Sequence, residues 1–244
     1  MIGFYPIFKR EFLAYFRSPV AYVFIIIFLV ANAGCTFLLG NFYDSQQSSL
    51  EIFFLFHPWL YLFLIPAVGM RLWAEERRAG TGELLLTLPV RLTTSVFSKF
   101  FAGWVFIGIA LFLTFPMIFT VHFLGNPDNG PIITGYIGSF LMAGSYLAIA
   151  SCTSAMTKNQ VISFVLSVII CLILVFLGWG VMNETLNTIF PVWISDLVNQ
   201  FSFTTHFNAM RRGVVDIRDL VYFISIIVIV LFLNVIVLES HKSS

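Results

Sequence analysis

The residues with the most obvious chemical potential are two adjacent carboxylates, Glu75 and Glu76, followed at once by Arg77 and Arg78. Paired carboxylates serve as general acid and base when a low-dielectric site pushes their pKa values apart. Among so many charges the pair is expected in a water-exposed segment, where solvated carboxylates have no reason to shift. The histidines, His57, His122, His206 and His241, are scattered, with no partner at helical spacing. His57 and His122 fall near the ends of apolar runs, where a polar ring tip reaches an interface. Cys35, Cys152 and Cys171 lie in apolar runs, and their odd number and wide spacing exclude a disulfide framework or a cysteine zinc site. They read as small core residues. No glycine is followed by lysine, so a phosphate-cradling loop is absent, and neither H-E-x-x-H nor G-x-S-x-G occurs. The chain is therefore expected to carry no catalytic residues and to bind no ATP, metal or cofactor of its own.

The composition explains this shortage. Of 244 residues, 59% are apolar and 10% charged, against about 25% charged in soluble proteins. Mean hydropathy is +0.95. So few charges cannot cover a soluble surface of this size, so the chain reads as an integral membrane protein. A net charge of +1 leaves no basic excess for nucleic acid. The first residues carry Lys9, Arg10 and Glu11 and the apolar run behind them is long, so no cleaved leader is expected.

Six stretches between successive charges are long enough for the roughly 20 residues a helix needs to cross a bilayer. They predict an all-α protein with six transmembrane helices near 20–40, 54–73, 99–123, 133–156, 160–179 and 220–238. Ten of the 13 Lys and Arg residues fall on the N-terminal side of this topology, leaving Arg211, Arg212 and Arg218 opposite. The positive-inside rule then puts both termini in the cytoplasm. No Lys, Arg, Asp or Glu falls in the middle of a predicted span, which argues against an ion-coupled carrier. A stripe of small residues, Gly144, Ala148, Ser151 and Ala155, suits close helix packing within the chain or across a dimer. The whole of 1–244 reads as one membrane domain.

Three segments depart from a plain bundle. Over residues 1–18, Phe4, Tyr5, Phe8, Phe12, Tyr15 and Phe16 share one helical arc, and Lys9, Arg10 and Arg17 another. That pattern predicts an interfacial helix ending at Ser18-Pro19. Segment 75–91 carries Leu84, Leu85 and Leu88 between a helix start at Thr81 and a stop at Pro89, too short to span yet needing burial. In 180–219, charges interrupt aromatic-rich runs that are too short to cross. These predict outer-face or re-entrant helices.

Two families come into view from these segments. Glu75-Glu76 resembles the paired glutamates of glutamate-type intramembrane proteases, but the arginine of their E-E-x-x-x-R motif is replaced by Gly80. The stronger resemblance is to permease subunits of ABC-2 type exporters, in the branch linked to gliding motility and multicopper-enzyme maturation. Phe8-Lys9-Arg10-Glu11-Phe12 through Ser18-Pro19 resembles that branch's N-terminal signature. Met70-Arg71-Leu72-Trp73-Ala74-Glu75-Glu76-Arg77-Arg78-Ala79-Gly80-Thr81, continuing from Glu83 to Val90, resembles its coupling loop. Arg212-Gly213-Val214-Val215-Asp216-Ile217-Arg218-Asp219 resembles its outer signature.

The resemblance implies two permease chains, as homodimer or heterodimer, in a bacterial inner membrane, served by two cytoplasmic ATPase subunits that hold the ATP and Mg. It implies that Glu75, Glu76, Arg77, Arg78, Gly80, Thr81, Glu83, Leu84, Leu85, Leu88 and Pro89 meet the ATPase. A Leu-rich helix rimmed by charge suits an interfacial groove. Gly82 departs from the branch, which has an apolar residue there. Arg211, Arg212 and Arg218 could form an outer gate with Asp216 and Asp219, or pair structurally with those two aspartates. Two other classes of function compete: a non-transporting anchor that recruits an ATPase to an envelope complex, and the protease.

Overall fold

A computed structural model of the chain describes residues 3–43, 48–78, 80, 91–180, 188 and 192–240. Every regular element among them is helical: α1 Phe4–Arg17, α2 Pro19–Gly34 with a π-helical extension Cys35–Leu39, α3 Glu51–Leu55, α4 His57–Gly69, α5 Arg71–Arg78, α6 Leu92–Phe112, α7 Pro116–Leu124, α8 Asn129–Met156, α9 Gln160–Phe176, α10 Val192–Gln200, α11 Phe203–Arg211 and α12 Ile217–Ser240.

The bundle is organised around α8, which packs against α4, α5, α6, α9, α11 and α12. Its small residues make this possible. A Cβ on Gly144 would meet Trp104 Nε1 at 2.8 Å, so the Trp104 indole and Ile227 of α12 close directly onto the backbone. Ala148, Ser151 and Ala155 are fully buried, and Ser151 Oγ accepts from Asn234 Nδ2 of α12 at 2.7 Å. The stripe is thus used inside the chain.

Among the described residues, four segments are long and apolar enough to cross a membrane: Pro19–Leu39, Leu92–Leu124, Asn129–Met156 and Ile217–Ser240. Of the remaining two predicted spans, 160–179 is the shorter apolar helix α9. The other, 54–73, is not one helix. It is divided among α3, α4 and α5 by turns at Phe56 and Met70. Pro58 in the first turn of α4 fits a helix start, and Pro66 inside it cannot donate to the ladder just before the break at Met70. The predicted 99–123 span begins earlier, at Leu92, and is interrupted between Phe112 and Pro116. There Thr114 Oγ1 donates to Leu111 O at 2.6 Å and meets the Tyr136 hydroxyl at 2.9 Å.

The expected N-terminal helix is present as α1. Ser18 separates it from α2, accepting from Val20 N–H at 3.3 Å with Pro19 in the first turn. The aromatic arc of α1 turns toward α6. Phe4 meets Phe101 edge-on, and Tyr15 stacks on Phe106 at 4.8 Å. In 180–219 the described residues form the short helices α10 and α11, and Phe203 and Phe207 of α11 are buried against the bundle.

Candidate functional site

The first two sequence signatures meet at one place. Glu11 of α1 and Glu76 of α5 converge on Lys99 of α6, which is only 1% exposed. Lys99 Nζ lies 2.7 Å from Glu76 Oε1 and 3.8 Å from Glu11 Oε1, and donates to Leu72 O at 2.9 Å. The ammonium also sits 4.7 Å over the Trp73 ring. Arg10 completes the cluster, donating to Glu11 Oε1 at 2.7 Å with Glu76 Oε1 at 3.9 Å. Two cations and two carboxylates therefore balance. The hydrogen bond to Glu11 raises the pKa of the Arg10 guanidinium.

The Glu75-Glu76 pair is accordingly not in a loop, as its flanking charges suggest, but on helix α5. Leu72, Trp73 and Ala74 are buried there, so the turn that carries the glutamates is fixed by packing. Glu76 is drawn inward by Lys99 while Glu75 stays exposed.

Helix α5 is fastened to α8 as well. Its first N–H groups have no partners inside the helix. Ser154 Oγ accepts from Trp73 N–H at 3.0 Å and Ala74 N–H at 2.9 Å, and donates to Met70 O at 2.7 Å. One hydroxyl from a neighbouring helix thus fills all of its hydrogen-bonding roles. Trp73 Nε1 donates to Ser151 Oγ at 3.3 Å, and Arg77 donates to Ala155 O. Beyond Arg78 the chain reaches Gly80 at φ +70°, a left-handed conformation that suits a residue without Cβ just past a helix end. Thr81, Glu83, Leu84, Leu85, Leu88 and Pro89 lie outside the described residues.

Toward the outer signature, no ion pair joins Arg211, Arg212 or Arg218 to Asp216 or Asp219 among the described residues. Arg211, mostly buried, lies 3.3 Å from Glu51 Oε1 of α3. Burial lowers its pKa, and Glu51 partly offsets that. Asp216 accepts from Arg218 N–H at 3.0 Å at the start of α12, while the Arg212 and Arg218 side chains are exposed. Asp219 is buried and takes His206, 2.6 Å from Nδ1. His206 Nε2 meets Gln200 O at 2.9 Å, and the ring stacks on Tyr222 at 3.9 Å. A carboxylate and a carbonyl both accept, so each ring nitrogen faces an acceptor oxygen. Glu51 and His206 carry no sequence signal for these roles, because each partner is distant in the chain.

His57 is a second departure. Far from reaching an interface, it is fully buried between α2, α4 and α8. Asn32 Nδ2 donates to its Nε2 at 2.9 Å, which leaves Nδ1–H to donate to Ser139 Oγ at 3.0 Å. Ser139 also meets Tyr61 OH at 2.7 Å. His57→Leu leaves Asn32 Nδ2 without its partner and takes one of the two partners of Ser139. It is expected to cost about 1–3 kcal/mol, read as a lower midpoint in denaturant titration of the purified protein. Ser139→Ala leaves the Asn32–His57 bond intact but takes the partner of His57 Nδ1 and of Tyr61 OH, so it should cost a similar amount. Equal midpoints for wild type and His57→Leu would show that the network contributes nothing.

A family model described as ABC-2 family transporter protein matches residues 7–178. The match spans well over half of the chain and includes both signatures that meet at Lys99. The outer signature, 212–219, lies beyond it. A search of curated proteins finds no match. The architecture and the matched residues define a multi-pass membrane protein of the transporter class. The chain belongs to the ABC-2 transporter family, as a permease component whose family role implies a separate ATPase.

Proposed function

We propose that the chain is the transmembrane half of an exporter whose segment 81–90 docks in a groove of a cytoplasmic ATPase. ATP-driven closure of two ATPase subunits rocks two permease chains. The observation that carries this reading is the anchorage of α5. The helix leading into the segment is joined to α1 and α6 through Lys99 and to α8 through Ser154, so force applied beyond Arg78 enters the bundle at three helices at once. The branch read from the sequence, that of gliding motility and multicopper-enzyme maturation, remains part of this proposal, as do six spans and an inner-membrane location. The test is retention of the ATPase when the tagged chain is co-expressed with it and purified in mild detergent, followed by reconstitution. Retention with substrate-dependent hydrolysis supports export. Retention without any transport supports the anchor reading, and a chain that retains no ATPase overturns both.

Orientation belongs to the same proposal. With ten of 13 basic residues on one side, a cysteine at position 82 should react with an impermeant thiol reagent only from the cytoplasm, and one at 128 only from outside, once the native cysteines are replaced. Labelling in the reverse sense would invert the topology.

A further inference from the structure

We propose that the cleft between α1, α2, α4 and α5 binds a zwitterionic phospholipid, with its phosphate on Arg71, its ammonium on Glu75 and one acyl chain along α2. The cleft has a volume of about 570 Å³, within the range of small-molecule sites. Its lining is of two kinds. Arg71 and Glu75 line it together with Glu11, Glu76 and Lys99 of the cluster, and Val23, Phe24, Ile27, Leu64 and Val68 give it apolar walls. Val23 and Ile27 are also 52% and 48% exposed, so the cleft opens sideways onto the outer face of α2. That face belongs to a membrane-length segment, where the surrounding medium is lipid.

The charges in the lining select the headgroup. Glu11, Glu76, Lys99 and Arg10 engage one another. Arg71 and Glu75 are left over, and neither makes an ion pair among the described residues. The Arg71 Nε is buried with no hydrogen-bond partner. The two residues stand about one helical turn, or ~5.4 Å, apart along α5. An arginine preceding a glutamate by four is the weaker orientation for pairing within a helix. The site thus offers one cation and one anion at a fixed spacing. A guanidinium is suited to a phosphate by its planar, paired donors, and an ammonium carried two carbons beyond that phosphate meets Glu75. An anionic lipid without the ammonium would set its headgroup against Glu75 unmatched. The site depends on membrane placement and not on ATPase docking, so the two proposals fail separately.

The experiment is native mass spectrometry of the purified chain equilibrated with equal amounts of phosphatidylethanolamine and phosphatidylglycerol. The expected result is one phosphatidylethanolamine held per chain, preferred by about tenfold, the scale of one charge-assisted contact. Arg71→Gln should lower retention of both lipids about tenfold. Glu75→Gln should remove the preference while leaving retention of phosphatidylglycerol intact. Ala67→Phe fills the cleft without touching either charge and should expel both lipids, with thermal unfolding as the control for folding. Should Arg71→Gln fail to fold, the other two variants decide. Equal retention of the two lipids by the wild type, or undiminished lipid in Ala67→Phe, overturns the proposal. So does a photoreactive residue in place of Ile27 that captures a second copy of the chain instead of lipid.

Discussion

Replacing Lys99 with methionine should destabilise the folded chain by about 3 kcal/mol or more, the scale of removing one partner from a buried ion pair. Methionine keeps most of the volume and the contact with Trp73, so the loss reports charge and hydrogen bonding. Glu76 loses its partner at 2.7 Å, Glu11 its neighbour at 3.8 Å, and Leu72 O its donor. The side chains of Glu76 and Glu11 are 20% and 18% exposed, so water relieves part of the penalty and the effect should sit at the lower end of the range for buried pairs. Adding Glu76→Gln to Lys99→Met should recover part of the stability, because it restores the balance of one carboxylate, Glu11, to one cation, Arg10. Arg10→Ala should cost only about 0–1 kcal/mol, because the Arg10 side chain is 58% exposed. Denaturant midpoints and membrane levels of the three variants against wild type measure these differences. If Lys99→Met is as stable as wild type, the cluster is not a structural tie between the two signatures.

Leu85→Asp should strip the ATPase from the permease with little effect on the bundle itself. A carboxylate placed in an apolar groove without a partner is costly, and loss of an anchor residue typically costs about 2 kcal/mol, or roughly thirtyfold in affinity. Glu83→Ala, on the expected rim, should do less, since exposed pairs contribute about 0–1 kcal/mol. The measurement is the amount of ATPase retained per tagged permease after detergent purification, with permease expression as the control. If Leu85→Asp keeps its ATPase and Glu83→Ala loses it, docking is electrostatic. If both keep it, segment 81–90 is not the docking element.

What was legible in the sequence was what a local pattern records. The aromatic arc before Ser18-Pro19, four of the six long charge-free runs and the small-residue stripe each depend on neighbours within a few turns, and each corresponds to an observed helix or contact. The family, too, was readable from signatures within 7–178. Pairings were not. Nothing near Lys99 in the chain distinguishes it from a loop-flanking cation, because Glu11 and Glu76 reach it only through the packing of α1 and α5 on α6. The same holds for His57 with Asn32 and Ser139, and for His206 with Asp219. The division of 54–73 escaped hydropathy for a related reason. An apolar run has the same average whether straight or broken, and the groups freed at Met70 are satisfied by Ser154, far along the chain.

That serine gives the joint between α5 and α8 the character of a mechanical detent. Three hydrogen bonds to three backbone groups meet at a single oxygen. Small tilts of α5 bend all three together, and a slide of one helical turn, about 5.4 Å, breaks all three together. Because one side chain holds all three, loss of that hydroxyl alone would take the partners from two N–H groups and one carbonyl at the start of α5.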